Sequence, residues 1–321
     1  MAYSAGGLIQ AVDYNGFVST TAGANVNATW STGATDAGWG QTAIPTVSAA
    51  GTITAAQWAS LVNTLASMGS QTNTTLTART APITGSTIAI LSALNTDITN
   101  CYTNRGNASA SGTQFTGWTG TNSLTAGKTA GAFTITFTNT VTFASAAAAR
   151  YFWNAGGRIK IDVSKTATGQ TGDPEWNDLA TTLCGDIYIT GRVNSNSQTI
   201  AGTSYTGTTK IGGTGTPTTL TTTTGWYQLL TTDTIIYKQF SDTAPYTANY
   251  IQHSAKTAGA GTQLVVTTLW SSSDGDPISG GTAPTGATPG TAPTTIVTYY
   301  PPSTTYLTAT WGTPTVAATT A

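Results

Sequence analysis

The sequence predicts a mainly β protein with a small α-helical N-terminal part and an antiparallel β-sandwich-like C-terminal domain. Threonine, which favours pleated strands, makes up roughly a fifth to a quarter of the 321 residues. Apolar residues recur at helical spacing early in the chain and at every second position later. These changes predict a helical N-terminal docking region over 1–110, a linker over 111–131, the β-sandwich-like domain over 132–300 and an extended C-terminal arm over 301–321.

Three amphipathic stretches carry the helical prediction. Helices are predicted over residues 8–19, over residues 55–69 with Thr54 as N-cap and Gly69 as terminator, and over residues 87–104 with Ser86 as N-cap. The apolar stripes of the second and third helices are expected to pack together, with Leu61 and Leu94 in one core. Gly38-Trp39-Gly40-Gln41, before the second helix, is interpreted as a loop with a buried tryptophan.

Alternating runs define the β part. Residues 133–143 and 158–163 each place apolar side chains on one face, and we expect them to belong to one antiparallel sheet. Asp173 and Pro174 indicate the start of a short helix that ends near Gly185. Further strands are predicted over 186–190, 226–230, 234–240, 246–256, 263–270 and 295–300, with a long loop over 279–293.

Composition limits the partners of the chain. Charged residues make up 7% and the net charge is −1, so the chain has no electrostatic footprint for nucleic acid or an anionic membrane. No run approaches the roughly 18 apolar residues of a membrane span, and residues 1–4 lack the features of a signal peptide. We expect no membrane insertion and no export by the ordinary route. Near-neutral charge gives little repulsion between copies, which favours a homo-oligomer.

Residue types that carry chemistry are few. His253 is the only imidazole, lies in a predicted strand and has no nucleophile motif to serve. The carboxylates of residues 173–178 are explained by helix capping, and Asp274 and Asp276 by a turn rather than a cation site. Cys101 and Cys184 are expected to be buried free thiols, and no second pair exists to bind zinc. We predict no catalytic, cofactor-binding or metal-binding residues and no enzymatic activity.

Aromatic residues near the C-terminus are the candidate contacts. Tyr299, Tyr300 and Trp311 lie near prolines. They could anchor the interior or form an exposed patch for assembly or ligand contact, and the sequence favours neither alternative. After Pro301-Pro302, Tyr306, Leu307 and Trp311 are too apolar to remain in water on a tail. We expect this arm to order against a neighbouring subunit, and the alternative is the protein's own β domain.

Four segments together resemble a family of tailed-bacteriophage structural proteins from phages of aquatic bacteria, including cyanophage-type structural proteins. They are Val12-Asp13-Tyr14-Asn15, Gly38-Trp39-Gly40-Gln41, the stretch from Ile53 to Leu61, and the stretch from Ala149 to Ile159 with Asn154-Ala155-Gly156-Gly157 at its centre. In the last segment, the glycines are read as a tight connection into the following strand, which is a fold signature rather than a ligand site.

The resemblance implies a virion component whose partners are other virion structural proteins. We favour a fibre-like tail, neck or baseplate appendage protein. A capsid decoration or cement protein, and a tail module that binds a receptor or host surface glycan, are the alternatives. A glycan-degrading enzyme would need a pair of catalytic carboxylates in a cleft.

Overall fold

Two antiparallel sheets dominate the computed structural model, which describes residues 9–19, 25–33, 36–85, 93–109, 118–123, 133–166, 173–192, 197–272 and 293–320. The helices are α1 (Ala11–Val18), α2 (Ala55–Thr72), α3 (Leu94–Thr103), α4 (Ala146–Asn154) and α5 (Asp173–Asp178), the last continued by a π-helical turn over Leu179–Cys184. Short 3₁₀ turns occupy Val26–Ala28, Trp226–Gln228 and Gly259–Gly261. The prediction of a mainly β chain with a small helical N-terminal part is confirmed.

Thirteen strands lie in the described part of the chain. They are β1 (Trp118–Ser123), β2 (Phe133–Thr142), β3 (Arg158–Ser164), β4 (Asp186–Thr190), β5 (Gln198–Ile200), β6 (Thr203–Tyr205), β7 (Thr208–Ile211), β8 (Thr219–Leu220), β9 (Thr234–Phe240), β10 (Tyr250–Ala258), β11 (Gln263–Ser272), β12 (Thr294–Tyr300) and β13 (Thr315–Thr320). The five-stranded sheet has the order β1-β12-β3-β4-β7, and the six-stranded sheet has the order β13-β2-β11-β10-β9-β8. Strands β5 and β6 form a separate hairpin.

The inner faces of both sheets belong to one hydrophobic core. Ile159 and Ile161 of β3 and Ile135 and Phe137 of β2 are fully buried in it, as their alternation predicts. Trp58 of α2 belongs to the same core, so the helical region and the sheets are continuous in packing. Among the described residues, none of the helices has both the length and the apolar character needed to cross a membrane.

The second predicted helix is confirmed, with one change at its end. Thr54 caps α2: its hydroxyl accepts from the Gln57 backbone N–H at 3.2 Å, while the Gln57 side chain accepts from the Thr54 N–H at 2.8 Å. The helix passes Gly69 and ends at Thr72, and its C-cap Asn73 has a φ of 54°, the left-handed conformation that asparagine tolerates. Gly69 faces Leu76 closely enough that a Cβ would collide with it.

The first and third predicted helices are shorter than expected. The first is α1, and the third is α3, for which residues 86–92, including the proposed cap Ser86, lie outside the described residues. Leu61 of α2 and Leu94 of α3 are both fully buried in the common core, which confirms the expected packing.

Two expectations about the strands are wrong. The runs at 133–143 and 158–163 do not share a sheet, because α4 intervenes and carries the chain from β2 in the six-stranded sheet to β3 in the five-stranded one. The run at 226–230 begins with the 3₁₀ turn over Trp226–Gln228, and Trp226 and the C-cap Leu229 are buried three residues apart. The strand expected over 246–256 is β10, which begins at Tyr250. Most of the predicted loop, residues 279–292, lies outside the described residues.

The linker and the arm also differ from expectation. Residues 118–123 of the linker form β1, which pairs with β12 along its whole length. In the arm, β13 pairs with β2 as an edge strand, and Leu307 and Trp311 are buried in the chain's own core. The expected seating of these residues on a neighbouring subunit is therefore corrected to the alternative, the protein's own β domain, which satisfies their need for an apolar environment.

Candidate functional site

The five predicted contact residues do not form one surface. Tyr299 is buried, its ring stacks on Phe152 with centroids 4.9 Å apart, and its hydroxyl donates to the Gly312 carbonyl at 3.2 Å. Burial raises the pKa of Tyr299. Of the two alternatives left open for Tyr299 and Trp311, the structure has interior anchoring, and Leu307 is buried in the same core.

Tyr300 and Tyr306 are half-buried, and Tyr300 lies in a distinctive environment. Because side chains alternate along β12, Tyr299 points into the core and Tyr300 to the outer face of the five-stranded sheet. There, Tyr300 is directly opposite Arg158 of β3 in the strand register. We call the group of Arg158, Tyr188, Tyr205 and Tyr300 the tyrosine cluster.

The guanidinium of Arg158 is surrounded by the three rings of this cluster. Its central carbon is 4.9 Å from the ring centroid of Tyr300, 5.4 Å from that of Tyr205 and 5.9 Å from that of Tyr188. Arg158 retains only 8% exposure, and its Nε and Nη1 are buried without a hydrogen-bond partner. Such a cation is stabilised by the electron-rich ring faces rather than by an acceptor.

The three rings also contact one another. Tyr188 lies 5.4 Å from Tyr205 in an edge-to-face arrangement and 6.1 Å from Tyr300 at a tilt of 49°. Burial raises the pKa of both Tyr188 and Tyr205, so these hydroxyls stay protonated at neutral pH. The cluster is thus a fixed aromatic surface around one cation.

Two residues further along β3, a charged group continues the same face. Lys160 Nζ lies 3.4 Å from Asp186 Oδ1 and 3.5 Å from Asp162 Oδ2. Burial alone would lower the pKa of Lys160, but the two carboxylates outweigh it and the pKa is raised. The pKa of Asp162 is raised by burial, which Lys160 opposes and Asp186 reinforces. Arg158 and Lys160 together balance the two carboxylates in formal charge.

The hairpin of β5 and β6 closes one end of this face. Ala108, Ile200 and Tyr205 form a small second core beside Tyr188 and Ile211. Two main-chain hydrogen bonds join Ala108 to the hairpin. The Ala108 N–H donates to the Thr199 carbonyl, and the Ala108 carbonyl accepts from the Ala201 N–H, both at 2.9 Å. The segment that follows α3 therefore holds Tyr205 in place over the sheet.

Sequence reasoning found only Tyr300 of this cluster. Arg158 and Lys160 were assigned correctly to the outward face of their strand, and the same alternation applied to residues 186–190 would have placed Tyr188 beside them. Tyr205 lies in a three-residue strand, which has no detectable period.

A second group of contacts joins the segments that carry the family resemblance. The indole N–H of Trp39 donates to the carbonyl of Asn154 at 3.0 Å and to that of Arg105 at 3.2 Å. Gln41 Nε2 donates to the Thr308 carbonyl at 2.9 Å, and the Thr308 N–H donates to Gln41 Oε1 at 2.8 Å. We call this the Trp39 junction. Gly156, with a φ of 93°, forms the tight connection into β3 that the sequence predicts.

The remaining candidates for chemistry are placed as follows. His253 is fully buried, its ring stacks on Tyr237 at 5.3 Å, and its Nδ1 lies 2.9 Å from Thr268 Oγ1. Burial lowers the pKa of His253 to about 3. Cys101 and Cys184 are free and buried, and burial raises the pKa of each to about 12. These groups pack in the interior.

No set of three or more histidine, cysteine or acidic side chains converges on a metal-sized site within the described ranges. Asp274 and Asp276 lie outside those ranges. Comparison with protein-family models, curated proteins and solved structures finds no match for the chain. The fold, the Trp39 junction and the tyrosine cluster are therefore the features from which a function is inferred.

Proposed function

We propose that the chain is a structural component of a tailed-phage virion, an appendage protein of the tail, neck or baseplate that acts through protein-protein contacts. The observation that carries this proposal is that the segments resembling virion proteins meet in pairs inside the fold. Tyr14 packs edge-to-face on Trp58 at 5.1 Å, and Trp39 is hydrogen-bonded to Asn154. Motifs that determine packing are expected of a scaffold, whereas an enzyme family is usually marked by its reacting groups.

Apolar surface on the helical region supports its role in docking. Val12 of α1 is 67% exposed and lines an open groove of about 810 Å³ together with Ile9 and Ile53. An exposed apolar side chain beside such a groove favours contact with another protein. We assign this groove to a neighbouring structural protein of the particle, with the sheets projecting outward.

The charge distribution supports contacts that salt does not weaken. The net charge is −1, and the groove residues Ile9, Val12 and Ile53 are uncharged. Screening acts on charges and leaves apolar and neutral hydrogen-bond contacts largely unaffected. The chain should therefore remain on the particle between low and moderate salt, and its release over that range would contradict the proposal.

Incorporation into particles tests the proposal directly. Val12→Asp places a charge in the groove and should reduce the amount of the chain found in purified particles by mass spectrometry. Ile83→Asp is the matched control, because Ile83 is 74% exposed but is not among the residues lining the groove. Absence of the unmodified chain from particles would refute the virion role, and an antibody label over the head instead of the tail would favour the capsid decoration alternative.

A further inference from the structure

We propose that the outer face of the five-stranded sheet, from the tyrosine cluster to Asp162 and Asp186, binds a carbohydrate chain. This inference does not depend on the location of the protein in a particle, since it concerns a surface that the isolated chain presents.

The tyrosine rings provide the first part of the argument. Tyr188 and Tyr300 are half-buried, so each ring has a fixed position and still reaches solvent. In the described part of the chain, neither hydroxyl has a hydrogen-bond partner. A rigid ring with an unused polar tip suits a ligand that is apolar on its C–H face and polar at its edge. Sugar rings have this character.

The charged groups provide the second part. The side chains of Asp162 and Asp186 are 33% and 36% exposed, so their oxygens can accept further hydrogen bonds besides those from Lys160. Arg158 is enclosed by the three tyrosine rings, so it contributes its positive charge beneath them rather than an exposed donor. Saccharide hydroxyls both donate and accept, and so they match a face that offers carboxylate acceptors at one end and the hydroxyls of Tyr188 and Tyr300 at the other.

The dimensions of the face favour a chain over a single small molecule. Arg158 and Asp162 are four residues apart on β3, which corresponds to roughly 13 Å along the strand. The face is an open sheet surface bounded at one end by the β5–β6 hairpin, unlike the concave sites that usually enclose compact ligands. Its balanced charge does not favour nucleic acid, which requires an excess of cations.

The test uses the full chain against an array of neutral oligosaccharides and uronate-containing oligosaccharides, followed by titration of array members to millimolar concentration. Tyr300→Ala should weaken binding of a positive member at least tenfold. Tyr250→Ala is the matched control, because Tyr250 is a half-buried tyrosine beneath the cation of Lys238, at 3.6 Å, on the other sheet. It should leave the affinity unchanged.

A second variant covers the case in which Tyr300→Ala does not fold. Asp186→Asn removes one acceptor charge from a part-exposed side chain and should also weaken binding, with the folded state checked by circular dichroism. A preference for uronate members would indicate that the positive charge of Arg158 beneath the rings attracts the carboxylate, and a preference for neutral members would indicate stacking on the tyrosines; both support the site.

Three results would overturn the inference. The first is that no array member binds the chain at millimolar concentration. The second is that Tyr250→Ala weakens glycan binding as much as Tyr300→Ala does. The third is that the unmodified chain binds no glycan and Tyr300→Ala converts an oligomer to a monomer. The last would make the face a contact between copies. A chain that binds glycan but is absent from particles would refute the virion role alone.

Discussion

Trp39 donates its indole N–H to the carbonyl of Asn154 at 3.0 Å across 115 residues of sequence. The second acceptor of the same N–H, the Arg105 carbonyl, follows α3. One buried side chain therefore joins the loop before α2, the end of α3 and the end of α4. The helical region and the sheets are connected at this junction as parts of one core.

Trp39→Phe tests the importance of this junction. The variant leaves two buried carbonyls without the indole donor, so we expect a loss of about 1–3 kcal/mol in the free energy of unfolding. Trp30→Phe is the matched control, since the Trp30 indole donates to the Thr42 carbonyl at 3.0 Å in a more exposed setting where water can replace it. Denaturant unfolding of both variants gives the comparison, and equal losses would mean that the junction has no special role.

The packing of α2 on α3 is tested by Leu61→Ala. Leu61 is fully buried, and its truncation should cost about 2–5 kcal/mol through lost burial and the cavity left behind. Leu230→Ala removes the same atoms from a side chain that is 68% exposed and should change stability by less than about 0.5 kcal/mol. A loss below about 0.5 kcal/mol for Leu61→Ala would count against the shared core.

The C-terminal segment is predicted to stabilise its own chain. Trp311→Ala should cost about 3–5 kcal/mol, and this loss should not depend on protein concentration because the contacts are within one chain. Truncation after Tyr300 should likewise impair folding, whereas truncation after Gly312 keeps Trp311 and removes residues 313–321, which include the edge strand β13. A loss that disappears at high protein concentration would instead favour seating on a neighbouring subunit.

His253 predicts a specific dependence of stability on pH. Its folded-state pKa is about 3, below the ordinary value of 6.5, so the unfolded chain takes up the proton first. The contribution of His253 to the free energy of unfolding is fully present above pH 6.5. This contribution is lost as the pH falls toward 3, at about 1.4 kcal/mol per pH unit. His253→Gln should show a flatter decrease over this range, measured by urea unfolding at each pH, and parallel profiles would contradict the assignment.

Local sequence patterns predict the helices and strands better than they predict which strands pair with one another. Threonine at position 54 followed by Gln57 identified the start of α2, and the alternation in residues 133–143 identified which side chains of β2 are buried. Alternation gives the face of a strand but not its partner, which is why β2 and β3 were assigned to one sheet. The prediction of a strand at 226–230 is wrong because Trp226 and Leu229 are buried three residues apart, which is the spacing of a 3₁₀ turn rather than the two-residue period of a strand.

The candidate site was harder to predict because it is built from distant pieces. Arg158, Tyr188, Tyr205 and Tyr300 come from four strands, and only the pairing of β12, β3 and β4 brings three of them together. The arm was misjudged for a related reason. Apolar residues such as Trp311 show that a partner surface is needed, but they do not identify which chain supplies it.

A reconstruction of the whole particle tests the central claim most directly, since it shows the position of the chain and its neighbours together. The proposed role predicts density for the two-sheet fold on the tail, neck or baseplate, with the helical region against the particle and the tyrosine cluster facing outward. Hundreds of copies over the capsid lattice would contradict the tail assignment, and a particle without this density would contradict the structural role altogether.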